Sequence, residues 1–294
     1  MTVTLDQLNA MPRDDFVAAL GSIFEHAPWV AESAASRRPF TTVADLHRAM
    51  LDVVEAASAQ TQTQFLRGHP DLAGKAAREG ALTADSTAEQ SGVGLDRLSE
   101  AQYARFNQLN TAYTQRFGIP FIVCVRRHTR SSILRQFERR LRNDAAAERA
   151  TALREIGLIT RLRLDGAVDG PGKPNVNGRL STHVLDTHMG RPAEGVRVDL
   201  FELQDDGPET MLGNTITNAD GRTDQPLIGG QPLRIGTYEL RFHIGAHFAR
   251  RGVPSADTPF LDIVPLRFGI AEPEGHYHVP LLATPWSYST YRGS

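Results

Sequence analysis

Apolar residues recur at helical spacing through the first half of the chain and at alternate positions through the second. Phe16, Leu20, Ile23 and Phe24 share one helical face, as do Val43, Leu46, Met50, Val53 and Val54. Ser99 followed by Gln102 has the spacing of a capping box. The helix it opens carries Tyr103, Phe106, Asn110, Tyr113 and Phe117 on one side and meets Gly118 where a helix C-terminus favours glycine. After the apolar stretch Ile119 to Val125, one helix is expected from near Ser131, with Leu134, Phe137 and Leu141 aligned. Another is expected from about Ala146 to Leu164.

The period then changes. Val196, Val198 and Leu200 alternate with Arg197, Asp199 and Phe201, as strand residues do. Asn218-Ala219-Asp220-Gly221 is turn chemistry. Tyr238 to Ile244 and Leu261 to Ile270 read as further strands, with Pro265 pointing to an edge or a bulge. His278 to Leu282 reads as a buried strand. Residues 166–177 are rich in Gly and Pro and lack periodicity, which predicts a linker. The expected architecture is multidomain: an all-α helical domain over residues 1–165 and an all-β sandwich over residues 178–294.

Composition narrows the function classes. The 32 Lys and Arg nearly balance the 34 Asp and Glu, for a net charge of -2, so no nucleic-acid footprint is present. Cys124 is the sole cysteine, which excludes an intrachain disulfide and favours a reducing compartment. The N-terminal residues have neither a basic nor an apolar signal region, and no apolar run approaches the ~20 residues of a membrane span. A cytoplasmic protein without membrane or nucleic-acid partners is expected.

Polar chemistry in the second half gathers in three places. His183 lies in a strand-like run, Arg222 follows the Asp220-Gly221 turn, and His276 and His278 precede a tail of Tyr291, Arg292, Gly293 and Ser294. Chain ends usually fray, so polar groups concentrated there suggest a tail tucked into a site. Each feature alone has a plainer reading. A strand histidine is commonly structural, and an arginine after Asp-Gly is commonly a solvated turn residue. His276 and His278 have the spacing of a same-face pair, which by itself is thin support for zinc. His188, His243 and His247 are expected to be non-catalytic.

Taken together, THVLDTHMGRPAEGV (residues 182–196), GRT (221–223), HYHVPLL (276–282) and the terminal YRGS resemble the transthyretin-related 5-hydroxyisourate hydrolases. The resemblance implies a transthyretin-like sandwich that assembles as a tetramer with sites between dimers. It places the site on His183, Arg222, His278, Tyr291, Arg292 and Ser294. His183 and His278 would activate water, Arg222 would bind substrate, and Ser294 would bond substrate or water. Transthyretin carries ligands on the same sandwich, so a small-ligand carrier fused to a helical interaction domain is the alternative reading.

The first half has its own cluster. His69 follows a break at Gly68 and precedes Pro70, Ser86 with Glu89 has capping-box spacing, and Arg161 and Arg163 lie two apart. RGHPDLAGKA (67–76), STAEQSGVGL (86–95), the segment from Phe106 to Arg126 and EIGLITRLRL (155–164) resemble the 2-oxo-4-hydroxy-4-carboxy-5-ureidoimidazoline (OHCU) decarboxylases. That family implies a cofactor-free helical enzyme, commonly dimeric, acting on the hydrolase's product. Its site maps to His69 as acid/base, Glu89 hydrogen-bonded to it, and Arg163 binding substrate, with Arg161 the other arginine available. No metal or cofactor is expected in either half. The two resemblances name consecutive steps, which implies a bifunctional enzyme of urate breakdown yielding (S)-allantoin. Its partners are purine-derived small molecules and further copies of itself.

Overall fold

The computed structural model describes residues 2–74, 82–254 and 256–293, and divides the chain into two compact units. The first comprises residues up to Arg126 and Ile133–Val176; the second comprises Arg127–Ser132 and Asn177 onward.

In the first unit a short strand β1 (Val3–Thr4) leads into α1 (Leu5–Ala10), α2 (Arg13–Leu20), α3 (Pro28–Ala34), α4 (Val43–Ala56), α5 (Ala59–Arg67), α6 (Ala84–Ser91) and α7 (Glu100–Phe117). They are followed by α8 (Arg130–Arg140), which starts in the other unit, and by α9 (Ala145–Ala167) and β2 (Val168–Asp169). The predicted capping box closes α7 at both ends of the motif: Gln102 N donates to Ser99 Oγ and Ser99 N to Gln102 Oε1. Gly118 ends that helix at φ 66°, where a Cβ would be strained. Phe16, Leu46, Met50, Phe106, Tyr113, Phe137 and Ile156 belong to one continuous core.

The stretch expected to be a linker is packed rather than free. Helix α9 runs through Ala167, and Val168 and Asp169 pair in parallel with Val3 and Thr4. Pro171 O accepts from Val43 N, and Val176 is buried with Cys124 and Leu162. Glycine and proline here provide sharp bends against the helices: a Cβ on Gly172, at φ 64°, would meet Thr42 at 2.6 Å.

The second unit holds β3 (Gly178–Ser181), β4 (Val184–Asp186), β5 (Arg191–Pro192), β6 (Arg197–Leu203), β7 (Thr210–Ile216), β8 (Ile228–Gln231) and β9 (Gly236–His243). Next come helix α10 (Ile244–Arg250), β10 (Ile263–Ile270), β11 (His276–His278), β12 (Leu281–Ala283) and β13 (Tyr288–Ser289). The sheets run β10-β9-β6-β7, β11-β3-β8 and β13-β12-β4-β5. Inward residues such as Leu180, Val198, Leu200, Leu240, Phe242 and Leu281 fill a separate core. Pro265 sits on β10, at the edge of its sheet, as its missing N–H requires.

Three details depart from the sequence expectation. Ile244 opens a helix rather than closing a strand. The run from His278 to Leu282 breaks at Val279 and Pro280, pairing first with β3 and then with β4. Arg127–Ser132 falls in the second unit, where Ile235 N donates to Arg127 O and Thr129 N to Ile235 O. Among the described residues, no helix is long and apolar enough to cross a membrane.

Candidate active sites

In the helical unit α5 sends Phe65 and Leu66 into the core and stops at Gly68, leaving His69 at its end. His69 Nδ1 lies 3.2 Å from Phe65 O. A carbonyl only accepts, so Nδ1 carries the proton and Nε2 keeps its lone pair. The ring stands edge-on to Phe65, with centroids 5.2 Å apart. Burial pushes the imidazole below its usual range, against the opposing pull of Glu25 and the Phe65 carbonyl; Arg163 and His26 add to the lowering.

Arg163 is the centre of the charged cluster. Its Nε and Nη2 donate to the two Glu89 oxygens at 3.0 and 2.9 Å, and Nη2 also reaches Glu25 Oε2 at 3.3 Å. The Arg163, Glu25 and Glu89 side chains are only 7%, 5% and 14% exposed. Ser86 Oγ lies 2.8 and 3.0 Å from the Glu25 oxygens, and the Thr83 hydroxyl also donates to that carboxylate. Burial alone would raise the Glu25 pKa; the hydroxyls of Thr83 and Ser86, with the charge of Arg163, outweigh it and hold the carboxyl below its usual value. Burial likewise works against the Arg163 cation, but Glu89 and Glu25 keep it charged.

These groups line a cavity of about 50 Å³ with His69, Pro70, Gln90, Phe121, Ile122, Val123 and Ile159. The apolar wall is held from behind. Arg140 Nη1 donates to Ile122 O at 2.7 Å, and its Nε and Nη2 grip Glu148 Oε1 at 2.8 and 2.5 Å. The same guanidinium lies 4.5 Å over Phe121, which stacks on Phe137 at 3.5 Å. Arg140 and Glu148 are 1% and 0% exposed, so the pair is desolvated and fully engaged rather than available to a ligand.

In the sandwich unit two parallel neighbours, β11 and β3, bring the second cluster together. His278 lies opposite Ser181, and His276 opposite Arg179. His278 Nε2 is 2.7 Å from His183 Nδ1, and the two rings stack at 4.9 Å. Ser181 Oγ lies 2.9 Å from His278 Nδ1 and 3.0 Å from His276 Nε2. Arg222 follows Gly221, whose φ of 69° and bond to Asn218 O close the predicted turn, and Arg222 bridges His183 across the backbone. Burial lowers the His183 pKa, and Arg222 lowers it further. Burial, His183 and Arg222, with smaller effects of His276 and Arg179, push His278 down to about 4. Both imidazoles are therefore neutral at physiological pH.

The tail divides. Gly293 N donates to His278 O at 2.9 Å and packs against that ring. Tyr291 and Arg292 are not brought to the histidine pair: Arg292 lies 4.5 Å over Tyr277, and both tail residues line a groove with Leu266, Phe268 and Val279. Tyr277 alternates with His276 and His278 along the strand, so its ring takes the opposite face. Ser294 lies outside the described residues, as do Lys75 and Ala76 of the RGHPDLAGKA motif.

Two family models match. The OHCU decarboxylase model covers residues 9–165, and the HIUase/Transthyretin family model covers residues 180–293. The chain belongs to both families. The 5-hydroxyisourate hydrolase 2 of Rhizobium meliloti (strain 1021) is 54% identical over 118 residues, 40% of this chain and 98% of that protein. The 2-oxo-4-hydroxy-4-carboxy-5-ureidoimidazoline decarboxylase of Haloferax volcanii is 44% identical over 162 residues, 55% of this chain and 94% of that protein. A crystal structure of (S)-allantoin synthase aligns with 99% of this chain and 100% of its own, at 36% identity and a TM-score of 0.53.

Several site details differ from the sequence expectation. Glu89 hydrogen-bonds to Arg163 rather than to His69, and Glu25 is the carboxylate whose charge acts on the imidazole. Thr83, not Ser86, caps α6, which frees the Ser86 hydroxyl for Glu25. Arg163 faces the cavity, whereas Arg161 donates to Asn175 O. Sequence reasoning missed Glu25, Ser181 and the arginine-glutamate clamp behind Ile122. Only Glu25 had a local signal, an acidic residue directly after the buried apolar pair Ile23 and Phe24. His278 has both ring nitrogens within hydrogen-bonding distance of side chains, Nδ1 of Ser181 Oγ and Nε2 of His183 Nδ1. His243 and His247 hydrogen-bond to Asp199 and Asp186. Among the described residues, no group of three or more His, Cys, Asp or Glu is arranged to hold a metal.

Proposed function

We propose that this chain performs two consecutive steps of urate breakdown: hydrolysis of 5-hydroxyisourate in the sandwich unit, then decarboxylation of OHCU to (S)-allantoin in the helical unit. The observation that carries the reading is that each unit gathers a neutral histidine and an arginine into one cluster: His183 and His278 with Arg222, and His69 with Arg163.

For the hydrolase, the resting tautomer has His183 Nδ1 donating to His278 Nε2, 2.7 Å away, which leaves His183 Nε2 as the base. It takes a proton from water as the oxygen attacks the ring carbonyl, then returns one to the departing ring nitrogen. Arg222 stabilises the negative charge developing on the carbonyl oxygen. Ser294 bonds the substrate or the attacking water, and Tyr291 and Arg292 bind substrate, in a tetramer whose sites lie between dimers; the exposure of Tyr291, 54%, accords with that role.

For the decarboxylase, the bond to carbon dioxide breaks and its electron pair passes into the adjoining carbon–nitrogen double bond of the ring. His69 Nε2 is the lone pair available to take the proton of the neighbouring hydroxyl and to deliver one to a single face of the product. Arg163 offers its remaining Nη1 edge to the substrate while Glu89 and Glu25 fix the plane of the guanidinium. Pairwise contacts through the helical unit and a cytoplasmic location complete the proposal. The carrier reading is not favoured, because a carrier has no need of a water-activating histidine couple.

The test is a coupled assay in which urate oxidase generates 5-hydroxyisourate in place. The full chain accelerates its decay by absorbance and gives a single-sign allantoin signal by circular dichroism. His69→Ala loses the second effect and keeps the first. Formation of optically active allantoin at the normal rate by His69→Ala would remove that residue from the mechanism.

A further inference from the structure

Four side chains of the sandwich unit form one unbroken hydrogen-bonded line. It runs from His183 Nδ1 to His278 Nε2 at 2.7 Å, from His278 Nδ1 to Ser181 Oγ at 2.9 Å, and from Ser181 Oγ to His276 Nε2 at 3.0 Å. His276 is exposed, so the line ends in solvent. Every member can both give and accept a proton on the atoms that meet. We propose that Ser181 and His276 are functional residues of the hydrolase, completing a proton relay that connects the His183 base to bulk water.

The relay balances through one turnover. At rest His183 and His278 carry their protons on Nδ1, the Ser181 hydroxyl points to His276 Nε2, and His183 Nε2 is bare. When His183 Nε2 takes a proton from the attacking water, its Nδ1 proton passes to His278 Nε2. The His278 Nδ1 proton then passes to Ser181, the serine's own proton passes to His276 Nε2, and His276 Nδ1 releases one to solvent. The chain now points the other way, with a proton on His183 Nε2. That proton goes to the departing ring nitrogen as the carbon–nitrogen bond breaks, and each bond in the line reverses, drawing a proton in at His276. One proton has left and one has entered; the line is restored, and water has been divided between carbon and nitrogen. The new carboxylic acid ionises on release.

The surroundings favour such a path. Burial, with Arg222 nearby, disfavours a positive charge on His183 or His278, as their depressed pKa values indicate. Moving a proton along the line avoids storing charge on either ring. The register supplies the geometry: His276 and His278, two apart, share a face, and Ser181 lies directly opposite His278 on the parallel neighbour.

The inference rests on the hydrolase reading, and its test separates the two. Hydrolysis of 5-hydroxyisourate is measured for the full chain and for His276→Ala, Ser181→Ala and Ser181→Thr, in water and in water–deuterium oxide mixtures. The expected result is a fall in kcat on the order of tenfold for the two alanine variants with KM unchanged, smaller than the ~10²–10⁴ of a direct acid/base. Added imidazole restores His276→Ala, Ser181→Thr retains the rate, and the curved isotope dependence of the parent chain becomes linear in Ser181→Ala. Alanine variants with the parent kcat and isotope dependence, or losses that imidazole does not reverse in His276→Ala, would overturn the relay. Absence of turnover by the parent chain would instead overturn the hydrolase reading.

Discussion

Arg163 shows how one residue type can set the character of a site. A guanidinium meets Glu89 with two parallel bonds and still reaches Glu25, which an ammonium cannot do from one point. Arg163→Lys keeps the charge and loses the fork. With about 1.5–3 kcal/mol for a charged hydrogen bond, its decarboxylation kcat/KM is expected to fall on the order of 10²-fold. Hydrolysis stays at the parent rate; both are read from the same coupled assay. The sandwich site predicts a pH dependence. His183 and His278 both have pKa values pushed down by burial, His278 to about 4, so His278 stays neutral through the ordinary imidazole range and His183 protonates below its ordinary value. The acidic limb of hydrolase kcat is therefore expected below the ordinary imidazole value of about 6.5. A pH–rate profile with its limb at the unperturbed value would contradict this assignment. The chemistry-bearing residue types were visible in the sequence, but partner choice was not. Glu25 and Arg163 are 138 positions apart, and no local spacing announces their contact.

At the scale of elements, the signals that rest on local backbone chemistry were legible. The Ser99–Gln102 box, the Gly118 terminus and the Pro265 edge each follow from how one residue satisfies or lacks a nearby donor. Elements whose ends depend on distant partners were not. The break after His278 arises because the chain changes neighbours from β3 to β4, and the expected linker is ordered by pairing with Val3 and Thr4. Short strands make the tail's role testable. Gly293 bridges His278, and an added Cβ would lie 2.7 Å from His278 Cδ2 on a ring already held at both nitrogens. Gly293→Ala is expected to displace the ring and lower hydrolase kcat more than about tenfold, on the scale of a misplaced catalytic group, with decarboxylation unchanged. An unaltered hydrolase rate in the same assay would show that the bridge does not position His278.

At the scale of the whole molecule, two cores serve two sites. The helical core contains Phe65, Phe121 and Ile122 around one site, and the sandwich core contains Leu180 and Tyr277 beside the other. Each site draws its described side chains from a single unit, so loss of one leaves the other intact. An equimolar mixture of His69→Ala and His183→Ala is expected to form (S)-allantoin, with each step performed by the variant that keeps it. Absence of optically active product from the mixture would mean that the two steps depend on residues of the same chain. Comparing the transient build-up of OHCU in the mixture with that in the parent chain measures what fusion adds through local concentration.

Periodicity, caps and turn residues, all short-range properties, determined in the sequence alone that a helical half precedes a sandwich half. The motifs also determined which family each half resembles and that His69, Arg163, His183, Arg222 and His278 are the residues to examine. Tertiary structure alone decided that Arg163 rather than Arg161 faces the cavity, that Glu89 serves the guanidinium, and that Glu25 joins them. It also decided that Ser181 links His276 to His278. The division has one physical cause. Local structure depends on neighbours a few residues away, whereas hydrogen-bond partners and pKa shifts depend on which distant segments the cores press together and which groups they remove from water.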